Sequence, residues 1–164
     1  MTARQPVAGV EISWYRSGRR ELWELFALAE ESPAVIEELI DLGSVLVASL
    51  DGEIVGCLQL LDPREDGEIE IAILAVAEDH QGGGIGTALV ERAIAEARNQ
   101  DLDTVRVGTS SADISNLRFY QRRGFRMLAI ERDAFTPADG YPEGSETDGL
   151  PLRDRVWLTL DLKL

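Results

Sequence analysis

The sequence predicts an α/β (α+β) domain, a mixed central sheet of about seven strands flanked by about four helices. Three observations carry this expectation. An almost unbroken apolar run, Ile69 to Val76, passes through a glycine-rich turn into an amphipathic stretch ending at Ala97, and a second apolar run, Thr104 to Gly108, follows. A strand–helix–strand unit of this kind sets its two strands side by side and parallel. Upstream, Ser44 to Leu50 and Glu53 to Leu61 meet at Asp51-Gly52, a strong antiparallel hairpin signal. Downstream, Val156, Leu158, Leu160 and Leu162 alternate with their neighbours as a further strand would. A sheet with such an apolar central strand needs helices on both faces.

The elements follow in order. Met1 to Pro6 read as a loose terminus, and Val10, Ile12 and Trp14 alternate as a half-buried first strand. From Arg19 to Glu31 the period becomes helical, with Leu22, Leu25, Phe26 and Ala29 on one face. Ser32-Pro33 starts a second helix, Ser32 as N-cap and Pro33 in its first turn, and Gly43 ends it. After the hairpin, Asp62 to Gly67 is a polar turn leading to the central strand. In the helix beyond the glycines, Leu89, Val90, Ala93, Ile94 and Ala97 form the apolar face. Thr109 to Asp113 is a loop, Ile114 to Arg123 a short helix with Gly124 at its C′ position, and Phe125 to Arg132 a strand. A long polar connection, Asp133 to Asp154, precedes the last strand, Arg155 to Leu162. That last strand is expected at a sheet edge, where a second copy of the chain could pair with it as a homodimer.

Length and composition narrow the function. The chain has 164 residues, the size of one domain (1–164). A net charge of −14 and a pI near 4.4 argue against binding nucleic acid or an anionic membrane surface through bulk charge. The acidity suits a cationic partner, and equally a well-solvated surface. One cysteine, Cys57, precludes an internal disulfide and offers no cysteine cluster, so it reads as a small core residue and no metal site is expected. No apolar run reaches spanning length and no signal-peptide core is present, so a cytoplasmic protein is expected.

The chemistry concentrates at Gln81-Gly82-Gly83-Gly84-Ile85-Gly86-Thr87, placed where the helix begins. Glycines let several N–H groups approach one ligand, and a helix N-terminus adds unpaired N–H groups, so the corner should hold an anion, most naturally phosphate. The dinucleotide fingerprint fails, because Gly84 and Gly86 are followed by Leu89, and Gly82 and Gly84 by Thr87. The Walker loop fails for want of Gly-Lys-Ser/Thr. The stretch does resemble the acetyl-CoA loop of the GNAT superfamily of N-acyltransferases, Gln/Arg-x-x-Gly-x-Gly/Ala, here Gln81-x-x-Gly84-x-Gly86 after a strand ending Leu74-Ala75-Val76. A second match, Asn116, then Phe119-Tyr120, then Gly124-Phe125 after the basic pair Arg122-Arg123, stands at family-like spacing, and the element order agrees over nearly the whole chain.

The resemblance implies a GNAT fold and direct acetyl transfer from acetyl-CoA to a primary amine of a small molecule or peptide. It implies that Leu74, Ala75, Val76, the loop from Gln81 to Thr87, Asn116 and Phe119 bind the cofactor, with Asn116 near the pantetheine arm and the Tyr120 hydroxyl near the sulfur. Strand N–H groups would stabilise the oxyanion. A tyrosine, at its ordinary pKa of about 10, is protonated at neutral pH and suits Tyr120 to protonate the leaving thiolate. Glu70 stands where several GNAT enzymes carry a catalytic glutamate. It reads equally as a base or as an exposed strand glutamate, with Glu68 of the same parity, or a water relay, as alternatives. His80 reads as a solvated turn residue. Tyr141-Pro142-Glu143, Asp148-Gly149 and Arg153-Asp154, with Leu25 to Gly43, resemble a small bacterial GNAT subgroup. The acceptor is expected between the first helices and the 133–154 loop, with Phe135 and Tyr141 as aromatic walls and Asp133, Glu143 and Asp148 as anionic partners. A non-catalytic acetyl-CoA sensor and a transferase for another acyl-CoA stay open as alternatives.

Overall fold

The computed structural model describes residues 8–164, so the loose terminus expected at Met1 to Pro6 lies outside the described residues. A seven-stranded sheet is built from β1 (Val10–Trp14), β2 (Ser44–Leu50), β3 (Glu53–Leu60), β4 (Glu68–Val76), β5 (Thr104–Ser110), β6 (Arg126–Glu131) and β9 (Arg155–Asp161). A two-stranded ladder of β7 (Glu146–Thr147) and β8 (Leu150–Pro151) lies inside the last connection. The helices are α1 (Trp23–Ala29), α2 (Pro33–Leu39), α3 (Ile85–Asn99) and α4 (Ile114–Arg122). Arg19–Leu22, expected as the first turn of α1, is a separate 3₁₀ turn. Among the described residues no helix is long and apolar enough to cross a membrane.

The sheet order is β1-β2-β3-β4-β5-β9-β6, antiparallel throughout except for the parallel β4–β5 pair that the α3 crossover requires. β9 therefore does not lie at an edge, contrary to expectation. It inserts between β5 and β6 and pairs with both, Val107 opposite Leu158 on one side and Met127 opposite Leu158 on the other. The apolar alternation of β9 reflects burial inside the sheet. The edge on this side of the sheet is β6, whose side chains are all exposed, Leu128 and Ile130 to 64% and 68%.

Two cores sandwich the sheet. One, under α3 and α4, gathers Leu89, Val90 and Ala93 with Ile69, Ile71, Val105 and Val107. The other, under α1 and α2, gathers Phe26, Ile36 and Ile40 with Val45, Val47, Ile73 and Ala75. Ile71 and Ile73 thus face opposite sides although two residues apart, whereas an unbroken strand would set them on one face. The reason is a β-bulge. Gln59 pairs with Ile73 and Leu60 with Ile71, leaving Ala72 as the extra residue in β4.

The bulge coincides with the end of the parallel ladder. β4 and β5 pair over Glu68–Ile71 and Thr104–Val107, after which β4 runs on to Val76 and β5 to Ser110 without pairing to each other. The two strands part, and one side of β4 is left open in the middle of the sheet.

The α1–α2 corner is anchored from both ends. Ser32 caps α2 as expected, its Oγ accepting the Val35 N–H at 3.3 Å and donating to the Asp139 carbonyl at 2.6 Å. The buried Gln59 side chain donates to the carbonyls of Leu39 and Leu42, at 2.6 and 2.9 Å, and so satisfies the C-terminal end of α2.

Candidate active site

A groove of about 580 Å³ opens where β4 leaves β5, between the α3 N-terminus and α4. The Gln81 side-chain amide donates to the Val76 carbonyl at 2.9 Å and ties the glycine loop to the end of β4. Gly84, in the left-handed region at φ 90°, is the N-cap of α3, and the first intrahelical bond runs from the Ala88 N–H to its carbonyl. The N–H groups of Ile85, Gly86 and Thr87 consequently have no acceptor within the helix. At Gly86 an added Cβ would meet Phe119 at 3.7 Å and Val76 at 3.8 Å, ordinary contacts. Protein packing does not demand glycine there, but a side chain would enter the groove. Arg123 completes the wall. Its guanidinium stacks 4.0 Å above the Phe119 ring, donates to the Phe119 carbonyl at 2.8 Å, and donates to Thr87 Oγ1 at the helix mouth. Unpaired N–H groups, a helix dipole and an arginine together give this corner local positive potential suited to an anion, in a protein of net charge −14.

A second cavity, of about 480 Å³, adjoins the groove and shares Leu28, Ala29, Asp113 and Asn116 with it. Glu70 and Ala72 of β4 line one side, Ser110 and Arg155 another, and Phe135 and Tyr141 the outer wall. That wall is a continuous stack. Arg106 lies 3.7 Å from the centre of the Trp157 ring, Arg155 lies 5.3 Å from Trp157 and 4.8 Å from Phe135, and Phe135 meets Tyr141 edge-on at 5.1 Å. The Tyr141 hydroxyl closes the chain by donating to Glu30 Oε1. Burial, followed by that hydrogen bond, pushes the Tyr141 pKa well up. Burial also raises the Glu70 pKa, opposed by the positive charges of Arg106, Arg64 and Arg155. Arg106 donates to Glu68 Oε1 at 3.2 Å and approaches Glu70 Oε1 to 3.5 Å.

The acetyltransferase (GNAT) family model matches residues 12–125. The N-acetyltransferase YvbK of Bacillus subtilis is 37% identical over 142 residues, covering 87% of this chain and 90% of its own. The chain belongs to the GNAT acetyltransferase family. Two solved acetyltransferase structures superimpose along nearly the full length. A GNAT family acetyltransferase from Elizabethkingia anophelis with acetyl-CoA bound gives a TM-score of 0.85 at 30% identity, covering 94% of this chain and 99% of that one. A Bacillus subtilis acetyltransferase in complex with CoA gives 0.83 at 34%, covering 93% and 98%. The GNAT fold expected from the sequence is the fold observed.

Of the residues singled out in the sequence of this GNAT protein, Leu74, Val76, Gln81, Gly82, Gly84, Ile85, Gly86, Thr87, Asn116 and Phe119 line the groove. Ala75 does not, because it faces the α1–α2 core, and Gly83 sits in the loop away from the wall. Asn116 donates from Nδ2 to Thr109 Oγ1 at 3.2 Å, at the seam between groove and cavity. Tyr120 lines neither space. The residue is 2% exposed, between Phe119 and Phe125, and burial raises its pKa, assisted by Asp113 and opposed by Arg123. Glu68 is turned toward Arg106 and Arg64, away from the cavity, whereas Glu70 faces it. His80 lies on the groove wall.

In the second cavity the loop supplies Phe135 and Tyr141 to the wall, as expected, but not its acids. Asp133 pairs with Arg153 at 2.8 Å, and Glu143 and Asp148 line no part of the cavity. The carboxylates on the wall come from Glu30 and Glu31 after α1, from Glu70, and from Asp113 before α4. Arg123 and Arg155 were not legible as site residues. Arg123 reads locally as the basic end of α4, and Arg155 as an ordinary outward position of a strand.

Proposed function

We propose that this chain transfers the acetyl group of acetyl-CoA directly to a primary amine of a small molecule or peptide. The carrying observation is that two spaces of different chemistry meet at the open side of β4, a groove lined by unpaired helix N–H groups and an arginine, and a cavity with a half-buried carboxylate. In this reading the pyrophosphate takes the N–H groups of the Gln81–Thr87 loop, with Arg123 beside it. The pantetheine arm lies along Leu74–Val76, where β4 has no strand partner on the β5 side, and passes Asn116. The acceptor enters from the Phe135–Tyr141 side, and its nitrogen meets the thioester near Ala72.

The raised pKa of Glu70 supports it as the base, because a carboxylate nearer neutrality takes an ammonium proton more readily. The freed nitrogen attacks the thioester carbonyl, and N–H groups on the open side of β4 receive the oxyanion. The nitrogen gives up its second proton to solvent as the C–S bond breaks, and the departing sulfur takes a proton. Tyr120 remains the proposed donor. Burial keeps it protonated, and its neighbours Phe119 and Asn116 line the groove. The Tyr141-Pro142-Glu143 sequence supports a place in the small bacterial subgroup it resembles, and Tyr141 is the residue that clamps the loop to Glu30. The test is release of CoA thiol with acetyl-CoA and a panel of amines. Acetylated amine in equal amount supports the reading, and acetyl-CoA binding without acetylation of any amine contradicts it.

A further inference from the structure

The acceptor cavity holds a cation that amine chemistry does not call for. Arg155 lies on its wall, and a site for an ammonium group would be expected to exclude an arginine. Its placement is enforced from below. Gly108 of β5 stands opposite Trp157, and a Cβ there would come within 2.7 Å of Arg155 Cδ and 2.8 Å of the Trp157 ring. Only a bare backbone lets both side chains lie across β5. Phe135 and Trp157 then hold the guanidinium from two sides, leaving it little freedom to swing out.

The guanidinium is also incompletely used. Nη1 meets the Glu131 carboxylate, at 3.3 Å to each oxygen, and Glu131 is itself exposed and held by Trp157 Nε1 at 3.1 Å. Among the described residues no acceptor reaches Arg155 Nε or Nη2. Of the other acidic groups on the cavity wall, Glu31 is exposed to solvent, and Glu30 and Asp113 are engaged elsewhere. Glu30 accepts from the Tyr141 hydroxyl and the Ser32 N–H, and Asp113 caps α4. What faces the cavity is thus Glu70 at one end, an arginine fork toward the other, and apolar surface from Leu28, Val35 and Phe135 between them.

Resting on the proposed acetyl transfer, we infer that the acceptor is an amino carboxylate with an apolar body, its amine at Glu70 and its carboxylate on the open fork of Arg155. A planar guanidinium matches a carboxylate bidentately, which an ammonium-only acceptor would leave unused. The charge of Arg155 acts on Glu70 as well as on Tyr141, so its field spans the cavity. A bound carboxylate would neutralise that field and leave Glu70 the better base.

Matched pairs test this. L-phenylalanine is compared with 2-phenylethylamine and L-leucine with isopentylamine, by acetylation rate and by calorimetry on the CoA-loaded protein. The carboxylate is expected to improve binding and kcat/KM on the order of 10- to 100-fold, the scale of a charge-assisted pair. Arg155→Met, which keeps the aliphatic stem, should erase most of that advantage through KM, and Arg155→Lys should restore part of it. Gly108→Ala should weaken the amino acid more than the amine by displacing the fork. Wild-type preference for the bare amines, acceptance of neither set, or an equal loss for both in Arg155→Met overturns the inference. Acetylation of the bare amines alone would leave the acetyltransferase reading intact while sinking this one.

Discussion

Glu70 and Arg106 stand opposite each other on the parallel β4–β5 pair with Oε1 and Nε 3.5 Å apart, close enough to attract but not aligned as a hydrogen bond. Arg106 spends its hydrogen bond on Glu68 and its planar face on Trp157. Glu70 is therefore near a positive charge without being locked to it, and desolvation outweighs attraction in setting its pKa.

That balance makes Glu70 a stability cost. Its folded pKa lies above the unfolded value, so the native state holds the proton more tightly, and stability from this group is complete below the unfolded pKa and lost as pH rises through the folded one. Glu70→Gln is expected to melt higher than the wild type near pH 7–8, with the difference shrinking toward pH 4. A thermal melt series over that range checks it.

In the proposed mechanism the same group sets the acid limb of activity. Wild-type kcat/KM should fall as the pH drops through the raised Glu70 pKa. Glu70→Gln should be slower throughout and should follow only the acceptor's own amine ionisation. Superimposable profiles would remove Glu70 from the base role.

Gly86→Val is expected to abolish acetyl-CoA binding in a folded protein. The position is helical, and its Cβ has ordinary contacts with Phe119 and Val76, so the larger side chain projects into the groove. Calorimetry against acetyl-CoA, with circular dichroism to confirm folding, reads the outcome. Retained affinity would move the cofactor elsewhere.

Tyr120→Phe is expected to lower turnover by roughly 10²–10⁴-fold, the usual worth of general-acid assistance, and to spare acetyl-CoA affinity. The ring sits in the core, so the variant keeps its packing between Phe119 and Phe125. Unchanged turnover would make Tyr120 a packing residue alone.

Much of this site was legible in the sequence because it is local. The glycine loop, the α3 periodicity and the Asn116 to Phe125 stretch each carry their meaning within a dozen residues, and the structure brings most of them to one groove. Pairing is not local, and there the sequence misled. Nothing in the composition of Ile71-Ala72-Ile73 marks a bulge, since a bulge belongs to the register with β3. Nothing in Arg155 to Leu162 tells an inserted strand from an edge strand, because the neighbours β5 and β6 are supplied by distant segments. The acids of the 133–154 loop looked like ammonium partners by composition alone. The fold instead pairs Asp133 with Arg153 and turns Glu70, far upstream on β4, toward the cavity.

The loop is fixed to the α1–α2 corner by two contacts, Tyr141 to Glu30 and Ser32 to the Asp139 carbonyl. Gly140 is left-handed at φ 91°, and a Cβ there would lie 2.4 Å from Ser32 Oγ. Tyr141→Phe should cost about 2 kcal/mol, the worth of a hydrogen bond to a charged group, and raise the acceptor KM. Gly140→Ala should act in the same direction through left-handed strain and the clash. Both effects are read by denaturant melts and acceptor titrations. An unaffected KM would detach the loop from acceptor binding.

The most direct measurement of the central claim is CoA thiol release from acetyl-CoA, followed together with N-acetyl product across amines and amino acids. Amine-dependent release, with one acetylated amine formed per thiol and strong loss in Glu70→Gln, is the result expected. Tight acetyl-CoA binding with no amine acetylated under any condition would contradict it.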